Sequence, residues 1–397
     1  MAVMHQARRP GRSALAFLND ATFRAIAYQV LVAAALVLCA WYLVSNTATN
    51  MAERGLTAGF GFLDSSAGFG IGFTLIEYRE GDTYWRVFQV GMANTLLVAA
   101  ISCILATVLG LFVGLARLSS NWLIRTLARV YIEVLRNTPL LLQIIAWFIG
   151  VFSVLPRPRD SHVWFDIFAL NNRGFYMPAP VPHDGFGALL TVIALALAGA
   201  VALRIWAKRR QDRTGQLFPA VPVGLLLVVG TSVVGYYTLG RPVGWDIPEL
   251  RGFNFRGGLG VPPAFCALVI ALSVYTSCFI GEIVRSGIQS VGRGQTEAAK
   301  SLNLKPAWTM RLIILPQALR VIIPPLISQY LNVTKNSSLA IAIGFPDLVS
   351  VWMNTSLNQS GRAIPIVVMT MAFYCAVSLT VSLVLNIYNS RVMLKER

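Results

Sequence analysis

The sequence predicts an all-α, polytopic membrane protein of about eight transmembrane helices, and three observations carry that prediction. The 397 residues are 56% apolar and only 13% charged, against roughly a quarter charged in soluble domains. The apolar residues gather in runs of about 20, the length a helix needs to cross a hydrocarbon layer of ~30 Å. These runs are apolar on every face rather than along one stripe, which excludes surface helices around a soluble core.

The runs fall at roughly 25–45, 88–116, 130–155, 186–206, 218–240, 262–285, 318–343 and 363–390. The first is too long for the apolar part of a cleavable signal and lacks a small-residue cleavage site, so a retained span is expected. If the N-terminus lies inside, so does the C-terminus. The inner pieces (1–24, 117–129, 207–217, 285–320 and 391–397) then hold 20 Lys and Arg. The outer pieces (46–87, 156–185, 241–261 and 335–362) are longer in total but hold 11. "AKRRQDR" (207–213) is the sharpest case, four cations in one short loop. The positive-inside rule therefore places both termini in the cytoplasm. The net charge of +16 is then a matter of basic cytoplasmic loops facing membrane lipid, and no nucleic-acid partner is expected.

The five cysteines all fall inside apolar runs without a CxxC pair, and read as small core residues. The three histidines have no ligand spacing, so no metal or other cofactor is expected. The outer segments 56–85, 155–168 and 241–260 are rich in Gly, Pro and aromatics. Such loops suit headgroup contact, a partner surface or ordinary aromatic anchoring at the interface.

One inner stretch is built differently. "EAAKSLNLKPAWTMRLIILPQ" (297–317) reads as a short helix, a turn and a second short helix. Glu297 is expected in the first turn of the first helix, where its charge suits the dipole. Asn303 stands where that helix stops, and Asn tolerates the left-handed conformation such a stop needs. Pro306 fits the first turn of the second helix, where a missing N–H costs nothing. Trp308, Leu312 and Leu315 share one face at i, i+4, i+7 spacing, and Pro316 is expected to break the helix before the next span. Ala298 and Ala299 offer a surface that another backbone can approach closely. Spacing alone leaves a docking knob and a merely well-ordered loop both open.

The stretch resembles the EAA loop of the permease subunits of bacterial ABC importers. That pattern is E-A-A, three residues, Gly, nine residues, Ile, one residue, Leu, Pro. Glu297, Ala298, Ala299, Ile313, Leu315 and Pro316 stand in register, and Asn303 replaces the glycine. "MANTLLVA" (92–99), "EVLRNTPLLLQ" (133–143), "GEIVRSGI" (281–288), "LPQALRVIIPPL" (315–326) and "KNSSLA" (335–340) resemble the polar amino-acid branch of the same family. The resemblance covers 88–155 and 262–390. It implies a type I importer core of five helices, to which this chain adds three, one before the core and two within it. That arrangement is similar to the larger permease subunits of general L-amino-acid importers in the bacterial inner membrane.

The chain organisation expected on this basis has four parts. Residues 1–87 hold the N-terminus, first span and outer loop, and 88–155 the first part of the core. Residues 156–261 are inserted loops and two extra spans, and 262–397 the second part of the core with its coupling loop at about 286–317.

The resemblance further implies alternating access driven by separate cytoplasmic ATPase subunits docked on Glu297, Ala298, Ala299 and the Trp308 face. Pro306 and Pro316 would set the angles. A second permease subunit, expected to be a paralogue, and a periplasmic amino-acid-binding protein complete the system. The chain itself is expected not to be an enzyme. No lysine follows a glycine anywhere in it, so it has no P-loop.

For a substrate path, ionisable and polar groups inside spans are candidates. Glu133 and Arg136 lie three apart on one face, where they can pair with each other, next to Asn137 and Thr138. Pro139 frees a carbonyl about one turn earlier, which suits a bend. Lys335, Asn336, Ser337 and Ser338 form a second cluster, in which Lys335 either attracts a carboxylate or snorkels to the interface. Glu282 and Arg285 are expected to pair locally. An ion-coupled secondary transporter is the main alternative, but it calls for midplane acids in paired repeats, and the spans are nearly empty of midplane acids and show no repeat. A membrane-embedded enzyme is disfavoured by the lack of HExxH, Gly-x-Ser-x-Gly or clustered acids.

Overall fold

A computed structural model describes residues 21–53 and 59–392; the basic N-terminal stretch 1–20 and the final residues 393–397 lie outside them. Among the described residues, seven helices are long and apolar enough to span a bilayer, and a bent pair makes an eighth. α1 (Ala21–Glu53) is exposed along its described length, as an all-apolar lipid-facing helix should be. α2 (Tyr84–Arg117) starts at Thr83, whose hydroxyl accepts from the Arg86 N–H.

The core is built around α7 (Pro263–Gln289), the most buried of the spans. α2 and α7 touch backbone to backbone, because small residues face each other. A Cβ on Gly114 would lie 2.7 Å from the Gly281 carbonyl oxygen, and one on Gly110 2.6 Å from the Ile280 side chain. In a bilayer, where lipid removes the hydrophobic drive between helices, such close approach is what holds them together. Leu268 and Leu272 of α7, Ile144, Val98 and Phe345 fill the centre. Phe73, Phe265 and Phe345 close one end as a triangle with every centroid pair 5.6 Å apart. Phe73, from a Gly- and Phe-rich outer segment, is therefore a core residue and not an interface anchor. Trp352 is fully buried beside Phe62 and Phe88, its indole N–H donating to the Ile366 carbonyl.

The run 130–155 is not one straight span. α3 (Trp122–Asn137) and α4 (Leu140–Ile145), extended by a wide π turn Ala146–Phe152, meet at a bend of 103°. Pro139 causes it. A residue before proline is pushed out of the helical region, and Thr138 is extended, with ψ 126°. The Leu135 carbonyl, deprived of its partner, takes the Gln143 side-chain N–H at 2.8 Å, and the Thr138 carbonyl takes the same amide at 3.0 Å.

A second difference concerns Pro316, which does not break its helix. α9 (Pro306–Thr309) passes through a π turn, Met310–Ile314, into α10 (Leu315–Asn336) and a 3₁₀ end, Ser337–Ile343. Pro316 sits in the first turn of α10, where the wide turn before it absorbs the missing N–H. The span thus runs over Pro306–Ile343. A further π turn (Val349–Ser356), α11 (Leu357–Ser360) and α12 (Ala363–Val392) complete the chain's described part.

Between α4 and α7 the helical expectation holds for α5 (Phe186–Thr214) and α6 (Ala220–Thr238), which pack on each other. The flanking segments carry short strands instead of loops. β1 (His162–Trp164), β2 (Phe168–Asn171), β3 (Gly174–Met177) and β8 (Leu259–Val261) form an antiparallel sheet in that order. β4 (Ala179–Pro182) pairs with β5 (Val243–Asp246), and β6 (Glu249–Arg251) with β7 (Asn254–Arg256). β2 and β3 alternate between buried and half-buried residues, but at three or four residues each these strands are too short for a sequence period to announce them. Of the cysteines only Cys278 is buried; Cys39 and Cys375 lie on exposed faces, so the core reading holds for one.

Candidate functional site

Between α7 and α9, α8 (Arg293–Ser301) packs against the Met310–Ile314 turn that leads into α10. Glu297 is in the middle of α8 and not in its first turn, since the helix begins four residues earlier at Arg293. The dipole role expected for it therefore falls away. Asn303 does what its position suggests: it is left-handed at φ 55°. The Leu304 N–H reaches the Ala299 carbonyl at 3.1 Å, and the Asn303 N–H reaches that of Lys300 at 2.9 Å. That pair of bonds closes a helix end in the Schellman manner, so Asn substitutes for glycine at small cost. Pro306 opens α9, and the Lys305 carbonyl before it accepts from the Trp308 and Thr309 N–H groups.

Ala299 is buried and packs inward, contrary to the expectation that both alanines face a partner. The outward face consists of Glu297, Ala298, Leu302 and Trp308. Leu302 is 75% exposed and Trp308 51%, large apolar groups on an otherwise polar module. Leu312, Leu315 and Pro316 are exposed farther along, and Ile313 is half-buried. Leu302 escaped the sequence reading because it follows the helix and belongs to no periodic face.

The two polar clusters lie on neighbouring elements, since α4, just after the first, packs on the Ser337–Ile343 turn of the second. Glu133 and Arg136 do not pair: Arg136 lies over the Phe279 ring at 5.4 Å, and Glu133 is exposed. The reason is the neighbouring helix, whose aromatic face is nearer to Arg136 than its own i–3 acid. Asn137 is the exposed last residue of α3, and the Thr138 hydroxyl is spent on the Val134 carbonyl. The Tyr131 hydroxyl shares a hydrogen bond of 2.8 Å with Ser277, which ties α3 to the middle of α7. Lys335 is exposed in the last turn of α10, and Asn336, which ends the helix, is half-buried. Ser337 is fully buried and donates to the Thr334 carbonyl, which withdraws it from any substrate. Ser338 donates to the Lys335 carbonyl. Lys335 and Ser338 line a hollow of about 440 Å³ with Met353, Thr370, Met371 and Tyr374. Glu282 pairs with Arg285 as expected, at 2.9 Å from its Nε, and Arg117 of α2 approaches the same carboxylate at 3.8 Å.

Comparison with known proteins decides the family. The model of the "Binding-protein-dependent transport system inner membrane component" family matches residues 106–394. The chain belongs to that family. It is 51% identical to YhdX of Escherichia coli, named as an amino-acid ABC transporter permease, over 99% of this chain and all of that one. It is 47% identical to the general L-amino acid transport system permease protein AapQ of Rhizobium johnstonii, over 96% of this chain and 95% of that one. Identity is 39% to the glutamate/glutamine/aspartate/asparagine transport system permease protein BztB of Rhodobacter capsulatus, over 96% of each. This is a multi-pass permease of the inner membrane.

Three residues of this permease to which the sequence reading gave no role, Asn94, Thr95 and Asp347, lie where α2 meets the Phe73–Leu75 stretch and the Pro346–Leu348 segment. The Asn94 amide donates to the Phe73 carbonyl at 2.9 Å and the Pro346 carbonyl at 2.8 Å, and its oxygen accepts from the Leu75 N–H at 3.1 Å. The Thr95 hydroxyl accepts from the Leu348 N–H at 3.0 Å. Asp347, in sequence between their partners Pro346 and Leu348, is fully buried, with one carboxylate oxygen accepting from the Ser350 N–H and the other without a partner. The only signal was "MANT" itself, two small polar residues inside an apolar run.

Burial raises the Asp347 pKa from 3.8 to about 7. The folded permease thus holds this proton more tightly than the unfolded chain, and stability falls as pH rises from about 4 to about 7, then levels off. Asp347→Asn removes the ionisable group. Its thermal unfolding in detergent should show a gain on the order of 2–4 kcal/mol at pH 8 that vanishes near pH 4. A gain independent of pH would disprove the titration.

Proposed function

We propose that this permease is the membrane-spanning half of an ATP-driven importer that carries L-amino acids inward by alternating access. The observation that carries the reading is the knob of α8, the Asn303 turn and α9. It is a capped helix pair that holds Ala298, Leu302 and Trp308 outward, with none of the described residues covering them. Cytoplasmic ATPase subunits would seat on that face. The positive-inside distribution supports a cytoplasmic knob and cytoplasmic termini. A periplasmic amino-acid-binding protein would deliver substrate, and a second permease, a paralogue, would complete the pore. ATP hydrolysis belongs to the partner; this chain transmits motion through the continuous helix from Pro306 into the span. The names of the relatives support amino acids as cargo.

The bend between α3 and α4 suits a path, since broken helices within membranes line cavities. Arg136 and Asn137 stand at the break, and Lys335 with Ser338 offers an ammonium for a substrate carboxylate.

The test is co-purification with the ATPase, together with uptake of labelled glutamate, glutamine and histidine into vesicles holding all partners. Ala298→Asp and Glu297→Lys should weaken ATPase association and uptake at least tenfold, because a charge buried in an interface without a partner costs about 2–5 kcal/mol. Uptake without ATP, or normal transport by both variants, would dismiss the reading.

A further inference from the structure

Where α4 and α7 end beside the sheet, a hollow of about 380 Å³ is lined by Arg157, Pro158, Arg159, Asn172, Arg173 and Phe253. It holds three cations and no carboxylate. Among the described residues none of the three arginines has an ion pair. Arg159 lies over the Phe253 ring at 4.9 Å, and Phe253 is itself 75% exposed. The side-chain oxygen of Asn172 is buried in the same wall without a hydrogen-bond partner.

The hollow has a definite depth. Arg157 comes five residues after Phe152, where the α4 helix and its π extension end. The chain there is tied down, since the Asn172 N–H donates to the Pro156 carbonyl at 3.0 Å. Arg173 precedes β3, whose Phe175 pairs with Val261, two residues before α7 starts at Pro263. All three arginines are thus anchored within a few residues of two span ends. That is the headgroup layer, which adds roughly 5–8 Å to each side of the hydrocarbon. An exposed Phe at the same level is an interface residue rather than a site for water. Resting on the orientation proposed above, this end faces the periplasm, where the positive-inside rule disfavours arginine, so the cluster calls for a reason of its own.

We propose that Arg157, Arg159 and Arg173 form a seat for the phosphodiester of an anionic phospholipid, with Phe253 against its glycerol region. Guanidinium forks match phosphate oxygens in geometry and charge. Phosphate on the seat would brace the sheet against the outer ends of α7 and of α4, the helix that follows the bend.

The experiment is native mass spectrometry of the full-length permease in neutral detergent, titrated with POPG or POPC. The triple variant R157Q/R159Q/R173Q should bind its tightest POPG on the order of a hundredfold more weakly, from about fivefold per lost cation. POPC binding should not change, and R157K/R159K/R173K should keep POPG within about tenfold. Unchanged POPG binding in the glutamine variant would overturn the seat. So would an equal loss of POPC, or full displacement of POPG by an equal concentration of inorganic phosphate. Retained POPG with lost association of a soluble periplasmic protein would also overturn it and give the face to a protein. Impermeant maleimide at Asp160→Cys tests the orientation separately. Labelling from the cytoplasmic side, with POPG binding lost in the glutamine variant, upholds the seat and rejects the orientation.

Discussion

Gly114→Leu should yield a permease that enters the membrane but does not purify as a single, monodisperse species. A Cβ at this position would stand 2.7 Å from the Gly281 carbonyl oxygen and 2.9 Å from the Val284 Cβ. The first is backbone in the middle of α7 and cannot rotate away, so α2 and α7 must separate. Overpacking a core costs about 1–3 kcal/mol when side chains can yield; here the contact that organises the bundle is itself displaced, and the cost exceeds that range. Insertion survives because it depends on the hydropathy of each span and not on their packing. Size-exclusion profiles and thermal midpoints in detergent measure the effect. Gly150→Ala, a glycine with nothing within 4 Å of its missing Cβ, serves as the control and should behave like wild type. A monodisperse Gly114→Leu with an unchanged midpoint would mean that the α2–α7 contact is not what the geometry says.

Asn94→Leu should release the outer segment before α2. One side chain makes three hydrogen bonds that join α2 to the Phe73–Leu75 stretch and to Pro346. Leucine leaves two carbonyls and one N–H part-buried without partners, at about 1–3 kcal/mol each, for a total of about 3–9 kcal/mol. Phe73 is then held in the aromatic triangle only by packing. Hydrogen exchange at the Leu75 amide should quicken at least a hundredfold, and chymotrypsin should cleave after Phe73 in the folded protein. Thr95→Val removes one acceptor, that of Leu348, and should cost about 1–3 kcal/mol without releasing Phe73. Equal protection of Leu75 in Asn94→Leu and wild type would show that the triangle suffices.

The number of spans is legible in the chain alone, because a bilayer demands long apolar helices, although the sharpness of the bend within 130–155 and the start of the seventh span at Pro306 are not. The sequence by itself determined the turn at Asn303 and the start of a helix at Pro306, since both are decided by the φ angles those residues permit. The freed carbonyl before Pro139 was legible for the same reason. The tertiary structure decided what is non-local. Whether Pro316 breaks a helix depends on a π turn five residues wide, and no residue type announces that turn. Whether Arg136 pairs with Glu133 or stacks on Phe279 depends on a helix more than a hundred residues away. Ala298 and Ala299 are identical in the sequence, yet one faces out and the other in, because only the packing of α8 on its neighbours distinguishes them. Asn94, Thr95 and Asp347 take on meaning only once a chain segment some 250 residues away is folded back onto α2. Local backbone chemistry can be read residue by residue, whereas burial and partnership belong to surfaces that exist only after the helices have met.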